Sequence, residues 1–236
     1  MSELSSRRLA RLNGRSSGTV AALDIGCSKT TCLIARPDAD NPRRMTIIGA
    51  GRQQTRGFAG GTITDMEGLE RSIRLAVEDA EREAGEPISE VILGITGPKL
   101  SSRLLTSSID IGDRVITARD VRRLHGQALT RAAQSPTHRQ EDILSAWPVV
   151  YTIDKAASRV RQPVGMIAGM LAVKMSIVSA PRAIVKNLVE CVGRAHLGVR
   201  QLIPSAIASG AGTLIEDEIE NGAVCIDLGS GVTAVS

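Results

Sequence analysis

Aromatic side chains are nearly missing from this 236-residue sequence, which holds one Phe, one Trp and one Tyr. Phe58, Trp147 and Tyr151 cannot build the stacking platforms that hold single-stranded nucleic acid, and a net charge of only +4 gives no strong phosphate-binding field. Nucleic acid is therefore not an expected partner. Cysteines at metal-binding spacing are missing too: Cys27, Cys32, Cys191 and Cys225 form no CxxC pair and have no matching histidine spacing. A zinc site and a disulfide framework are excluded, and the four read as reduced, buried cytosolic thiols. No apolar run approaches the ~20 residues of a spanning helix; the uncharged stretch Gln162–Val173 is short and broken by polar and proline positions. His125, His138 and His196 have no paired carboxylate or cysteine, so none is assigned to catalysis. His196, near a helix C-terminus, suits the helix dipole.

What is present is ordinary globular material, 42% hydrophobic and 23% charged, enough for one large domain or two small ones. Residues 1–18 stand apart, with Arg7, Arg8, Arg11 and Arg15 among serines, which predicts a disordered basic tail. No apolar stretch follows that would make it a secretory signal, although an organelle presequence has a similar composition. From Thr19 the periodicity predicts strands at TVAALDIG, TTCLIAR and MTIIGAGRQQT, ended by Gly57, Gly60 and Gly61. Thr64 with Glu67 has the form of a capping box for a helix whose Met66, Leu69, Ile73, Val77, Ala80 and Ala84 share a face. Strands follow at VILGIT and between Ser101 and Ile111. Thr117 with Asp120 caps a second helix, with Val121, Leu124, Ala128 and Ala132 on its apolar face.

ILSAWPVVYTID is extended, with Pro148 at an edge or bulge, and MLAVKMSIVSA is a buried strand. A third helix runs from about Arg182 to Ala195 on Ile184, Leu188, Cys191 and Ala195, with Gly198 as its stop. VRQLIPS gives a strand and SAIASGAGTLI a small-residue helix. Trp147 and Tyr151 suit core packing, with an interface role as the alternative. Arg119–Arg123 is the wet face of the second helix, or a contact to a neighbouring subunit.

The chemistry lies in a repeated segment. ALDIGCSKTTC (Ala22–Cys32) and CIDLGSGVTAV (Cys225–Val235) each run as apolar strand, Asp, apolar residue, Gly, small polar turn and returning strand. Glycine and small residues let backbone N–H groups approach phosphate oxygens, and an Asp at the strand end can hold a hydrated divalent cation against them. Two such hairpins facing each other would clamp a nucleotide. Each alone is also a plain hairpin turn, with Asp24 a local hydrogen-bond acceptor and Lys29 a surface lysine. The second hairpin opens a sheet in the last dozen residues without covering helices, which predicts a truncated chain with an incomplete second domain.

These hairpins are similar to the phosphate-1 and phosphate-2 segments of the actin, chaperone and sugar-kinase superfamily. From about Thr19 to Ser236 the chain most closely resembles bacterial FtsA, the actin-like cell-division family. The resemblance is carried by ALDIGCSKTTCLIAR, by IIGAG with RGFAGGTITDMEGL, by ISEVILGITGPKLSS and YTIDKAASRVRQPVGM, by PRAIVKNLVECVG and LGVRQLIPSAIAS, and by VCIDLGSGVT. It implies an α/β, actin-like (ribonuclease H-like) fold with an inserted α+β SHS2-type subdomain 1C. Subdomain 1A would span 19–87 plus 171–212, 1C would span 88–170, and 213–236 would begin 2A. It also implies ATP and Mg in the cleft, self-association into polymers, and a cytoplasmic location at the inner membrane of the division site. FtsZ and later division proteins are the implied partners. FtsZ binding through subdomain 2B, and membrane contact through a C-terminal amphipathic helix, belong to family segments not found in this sequence.

Carried over residue by residue, Asp24, Gly26, Cys27, Ser28 and Lys29 match the first phosphate loop. Asp227, Gly229, Ser230, Gly231, Val232 and Thr233 match the second, and Asp24 and Asp227 would face the metal. Cys27 stands where a small hydroxyl residue or alanine is common, Ser230 replaces a glycine, and Val232 and Ala234 replace a threonine and an aspartate. Active relatives place a carboxylate or amide on the connector helix to position water; here Ile203, Pro204, Ser205 and Ala206 occupy the region, leaving Gln201 and Ser205 as polar candidates. No catalytic residue is assigned, and the expectation is weak or undetectable ATP binding with at most a weak ATPase. Exposed apolar surface predicts aggregation or dependence on a partner. The competing readings are a pilus-assembly actin-like relative and a small-metabolite kinase, the latter lacking a positioned carboxylate base.

Overall fold

In the computed structural model, which describes residues 18–38, 40–41, 44–97, 99–135, 140–154 and 159–236, β1 (Val20–Ile25) and β2 (Lys29–Pro37) form a hairpin. Residues 1–17 of the expected tail (1–18), and His138, lie outside the described residues. Period-two alternation buries Ala21, Leu23 and Ile25 while Ala22 and Asp24 face the other way. β3 (Met45–Gln54) pairs antiparallel to β2, and the two-residue strands β4 (Phe58–Ala59) and β5 (Thr62–Ile63) close a glycine turn.

α1 (Met66–Ala84) packs Leu69, Ile73, Ala76, Val77 and Ala80 against β2 and β3, with Met66 and Ala84 only half-buried at its ends. Its cap is Asp65, whose side chain accepts from the Glu67 N–H, and not the expected Thr64. The Thr64 and Asp65 amides both donate to the Gly57 carbonyl, which keeps Thr64 in the turn and leaves Asp65 at the helix mouth. β6 (Glu90–Ile95) then runs parallel to β1.

β7 (Ser101–Val115), α2 (Ala118–Gln134), β8 (Glu141–Ile153), β9 (Arg159–Val160) and β10 (Ile167–Pro181) build a second unit, an antiparallel sheet in the order β7-β10-β8-β9. The Thr117–Asp120 capping box forms as expected, and Val121, Leu124, Ala128 and Ala132 pack on Ile109, Ile111, Leu171, Val173 and Ile177. Pro148 stands where the β8 register shifts against β10, the expected bulge. Tyr151 is buried, with its hydroxyl 2.7 Å from Nε2 of His125. Burial pushes that hydroxyl up to about 12 and lowers the pKa of His125, so the pair is neutral near pH 7.

α3 (Arg182–Arg194) leads back to the first sheet and buries Val185, Leu188, Cys191 and Val192, with Ile184 half-buried. Its stop is His196, in the left-handed region at φ 64°, with the Leu197 N–H bonded to the Val192 carbonyl; the expected stop, Gly198, instead opens a strand. β11 (Gly198–Pro204) pairs parallel to β6, completing the order β11-β6-β1-β2-β3. α4 (Ser205–Thr213), a short helix α5 (Glu216–Asn221) that the periodicity did not announce, and the hairpin β12 (Ile226–Leu228) and β13 (Thr233–Val235) follow.

The chain divides at 98/99 and 185/186, against the expected insert at 88–170. β6 belongs with β1 and β11, and the whole of β10 is the central strand between β7 and β8, so partners far away in sequence set both limits. Cysteine burial also differs from expectation. Cys32 and Cys191 are buried, and burial raises their thiols to about 12 and about 11; Cys27 and Cys225, at the turn of one hairpin and the start of the other, are half-exposed. Among the described residues no helix is long and apolar enough to cross a membrane.

Candidate functional site

The two sequence-matched hairpins fold alike. In the first, the Gly26 N–H donates to the Lys29 carbonyl at 3.0 Å; in the second, the Gly229 N–H donates to the Val232 carbonyl at 3.1 Å. Each turn is thereby closed at its base. The amides of Cys27 and Ser28, and of Ser230 and Gly231, take no backbone partner among the described residues. Successive unpaired N–H groups at a tight turn form an anion-binding concavity. Ser28, Lys29, Ser230 and Thr233 are exposed, and Val232 is half-buried.

Both aspartates meet the same helix. Ser205 donates its hydroxyl to Oδ1 of Asp24 at 2.8 Å, and Ser209 donates to Oδ2 of Asp227 at 2.8 Å. Four residues apart, the two serines share one face of α4. Gly94 makes room for the first bond, because a Cβ there would stand 2.7 Å from Asp24 Oδ1 and 2.9 Å from the Ser205 hydroxyl. Pro204 offers no side-chain cap to α4, so the carboxylate of Asp24 brings negative charge to that helix's uncapped first turn.

The hairpin tips converge. A Cβ on Gly231 would lie 2.7 Å from Sγ of Cys27 and 3.4 Å from the amide nitrogen of Gly60. One on Gly97 would lie 3.2 Å from the carbonyl oxygen of Gly61. The β4–β5 turn and Gly97, two residues after β6, therefore join the site. The sequence marks Gly60 and Gly61 only as strand breakers and gives no sign of Gly94, Gly97 or Ser209 beyond the Ser-x-x-x-Ser spacing before the second hairpin. Ser205, a sequence candidate for positioning water, is occupied with Asp24. Gln201, the other candidate, is exposed on β11 and bonds to neither aspartate.

Among the described residues no three His, Cys, Asp or Glu side chains gather as a metal cluster. The residues nevertheless fit a magnesium nucleotide. Among the described residues one oxygen of each aspartate and the turn amides have no partner, and a hydrated divalent cation needs only one or two carboxylates when phosphate supplies the rest.

Residues 97–179 match the family described as the SHS2 domain inserted in FTSA. The cell division protein FtsA of Agrobacterium fabrum is 36% identical over 237 residues, covering 97% of this chain and 52% of that protein. FtsA of Neisseria meningitidis is 32% identical over 217 residues (92% and 51%), and FtsA of Escherichia coli K12 is 29% identical over 218 (92% and 50%). The chain spans about half the length of the curated relatives it matches. Among solved structures, the PilM-PilN type IV pilus biogenesis complex aligns over 92% of this chain and 56% of its own at TM-score 0.58. At 12% identity that likeness concerns the fold alone, which is the actin-like ATPase fold.

Proposed function

Because this chain is an FtsA-type sequence, matched along about half of that protein's length and carrying its inserted SHS2 domain, we propose that it acts as a cell-division scaffold whose shape is set by a bound nucleotide. The observation that carries the reading is the pair of like hairpins, each with an open turn and an aspartate held by α4. In this reading the turn amides of Cys27, Ser28, Ser230 and Gly231 bind the phosphates of ATP. Lys29 and Thr233 add polar contacts, and Asp24 and Asp227 hold hydrated Mg²⁺. Bound ATP supplies the phosphate charge on which both turns converge.

Hydrolysis is not expected. The helix α4 carries no carboxylate or amide to position water, the Gln201 amide is exposed on β11, and Ser205 is committed to Asp24. The same absence of a general base speaks against a metabolite kinase. The pilus-assembly reading has only fold-level likeness behind it, whereas the SHS2 match favours division.

Protein contacts fall to the inserted unit, the family's 1C. By sequence, residues 99–185 hold thirteen Lys and Arg against six Asp and Glu, a net +7, while the rest of the chain holds sixteen against nineteen, a net −3. Such an imbalance favours acidic partners and head-to-tail self-association. We place this scaffold at the cytoplasmic face of the inner membrane, with FtsZ and later division proteins as partners of the whole protein.

The test is ligand-observed NMR with ATP, ADP and adenosine, with and without Mg²⁺. The expected result is weak, Mg²⁺-dependent binding of ATP and ADP that adenosine does not reproduce. Absence of any Mg²⁺-dependent binding would overturn the reading.

A further inference from the structure

We propose that α4 is the shared seat of the two hairpins, and that Ser205 and Ser209 are positioning residues that set their aspartates for a divalent cation. The proposal rests on the nucleotide reading above and extends it to residues outside both phosphate loops. Each serine takes a single carboxylate oxygen, Oδ1 of Asp24 and Oδ2 of Asp227, and leaves the second oxygen of each without a protein partner among the described residues. A carboxylate held at one oxygen cannot rotate freely, so the directions open to the other oxygen are narrowed. The Cβ atoms of the two serines, four residues apart, lie about 5–6 Å from each other along the helix face. One rigid element therefore spaces two ligands drawn from strands that do not pair with each other.

The second hairpin depends on α4 in other ways as well. Ser236 donates its hydroxyl to the Ala206 carbonyl at 3.0 Å, and Gly210 lies under both ends of the hairpin, with its Cβ position 3.3 Å from the Ser236 hydroxyl and 3.6 Å from Cβ of Cys225. At the near end, Ser205 begins the helix and bonds to a strand of the five-stranded sheet. A ligand that draws on either aspartate thus pulls on the same nine-residue helix. Ser205 occupies the region where active relatives place a water-positioning group, and in this chain its hydroxyl has a different task.

The experiment uses Mn²⁺ as the probe, followed by electron paramagnetic resonance, with and without tripolyphosphate. It compares the unmodified chain with Ser205→Ala, Ser209→Ala and Ser205→Thr. The unmodified chain is expected to bind Mn²⁺ more tightly when tripolyphosphate is present. Each alanine variant should weaken that binding at least fivefold, and Ser205→Thr, which keeps a hydroxyl, should recover it to within twofold. Hydrogen exchange of residues 225–236, read on the same variants without ligand, should speed up in Ser209→Ala. Alanine variants that bind Mn²⁺ as the unmodified chain does would overturn this inference while leaving the nucleotide reading intact. An unmodified chain that binds no Mn²⁺ with tripolyphosphate would overturn both. Ser205→Ala that binds weakly without rescue by threonine would show a packing role only and would also overturn the proposal.

Discussion

A side chain on Gly231 would start 2.7 Å from the sulfur of Cys27, so the tips of the two hairpins already stand at contact distance. Gly231→Ala must push them apart, and overpacking of this kind costs about 1–3 kcal/mol. The expected outcome is a lower melting temperature, most of it regained in the double variant with Cys27→Gly. Thermal melting of the unmodified chain, of Gly231→Ala and of the double variant checks this. A double variant no better than Gly231→Ala would mean that the tips do not press on each other.

Thiol chemistry separates the four cysteines. Cys27 and Cys225 are half-exposed, whereas Cys32 and Cys191 are buried, with thiols raised to about 12 and about 11 chiefly by desolvation. With a thiol-reactive chromophore at neutral pH, two groups should react quickly and two only after denaturation, and Mg²⁺ with ATP should slow the labelling of Cys27. Four equal rates would contradict the burial pattern.

Asp120 makes the inserted unit sensitive to acid. Hydrogen bonds from the Arg114 guanidinium, then from the Thr117 hydroxyl and amide, hold its carboxyl well below the usual carboxylate range. A lowered folded-state pKa stabilises above the unfolded value, and that contribution fades as pH falls below about 4. Asp120→Asn should therefore be less stable than the unmodified chain at pH 7, and the two denaturation midpoints should converge as the pH drops through the acid range. A gap that persists unchanged at low pH would rule out this linkage.

How much of this was readable in advance depends on distance along the chain. Thr117 and Asp120 are three residues apart, and their capping box was plain from the sequence. Thr64 and Asp65 are both competent caps, and only the carbonyl of Gly57, seven residues before Thr64, decides between them. The limits of the insert were missed because β6 pairs with β1 and β11, and hydropathy does not record partners. The hairpins themselves were legible as a repeat. The bond from Ser205 to Asp24 joins residues 181 apart, and nothing local announces it.

Leu124 offers a direct check of the inserted unit. It is fully buried on α2, and Leu124→Ala should cost about 2–5 kcal/mol. Trp147, the only tryptophan, lies in the same unit and reports the change by fluorescence. Its denaturation midpoint should fall clearly, and an unchanged midpoint would place Leu124 outside a cooperative core.

The adjacency of β6 and β11 also governs the order of assembly. The two strands are neighbours in the sheet, yet residues 96–197 separate them, so during synthesis β6 leaves the ribosome with one edge open and waits for its partner. Closing so long a loop as random coil is slow. If residues 99–185 condense first, the two ends of the connection are drawn together and the search shortens. The insert would then work as a folding clasp, and lesions in it such as Leu124→Ala would lower the yield of the first sheet, read as protease resistance of newly made chains.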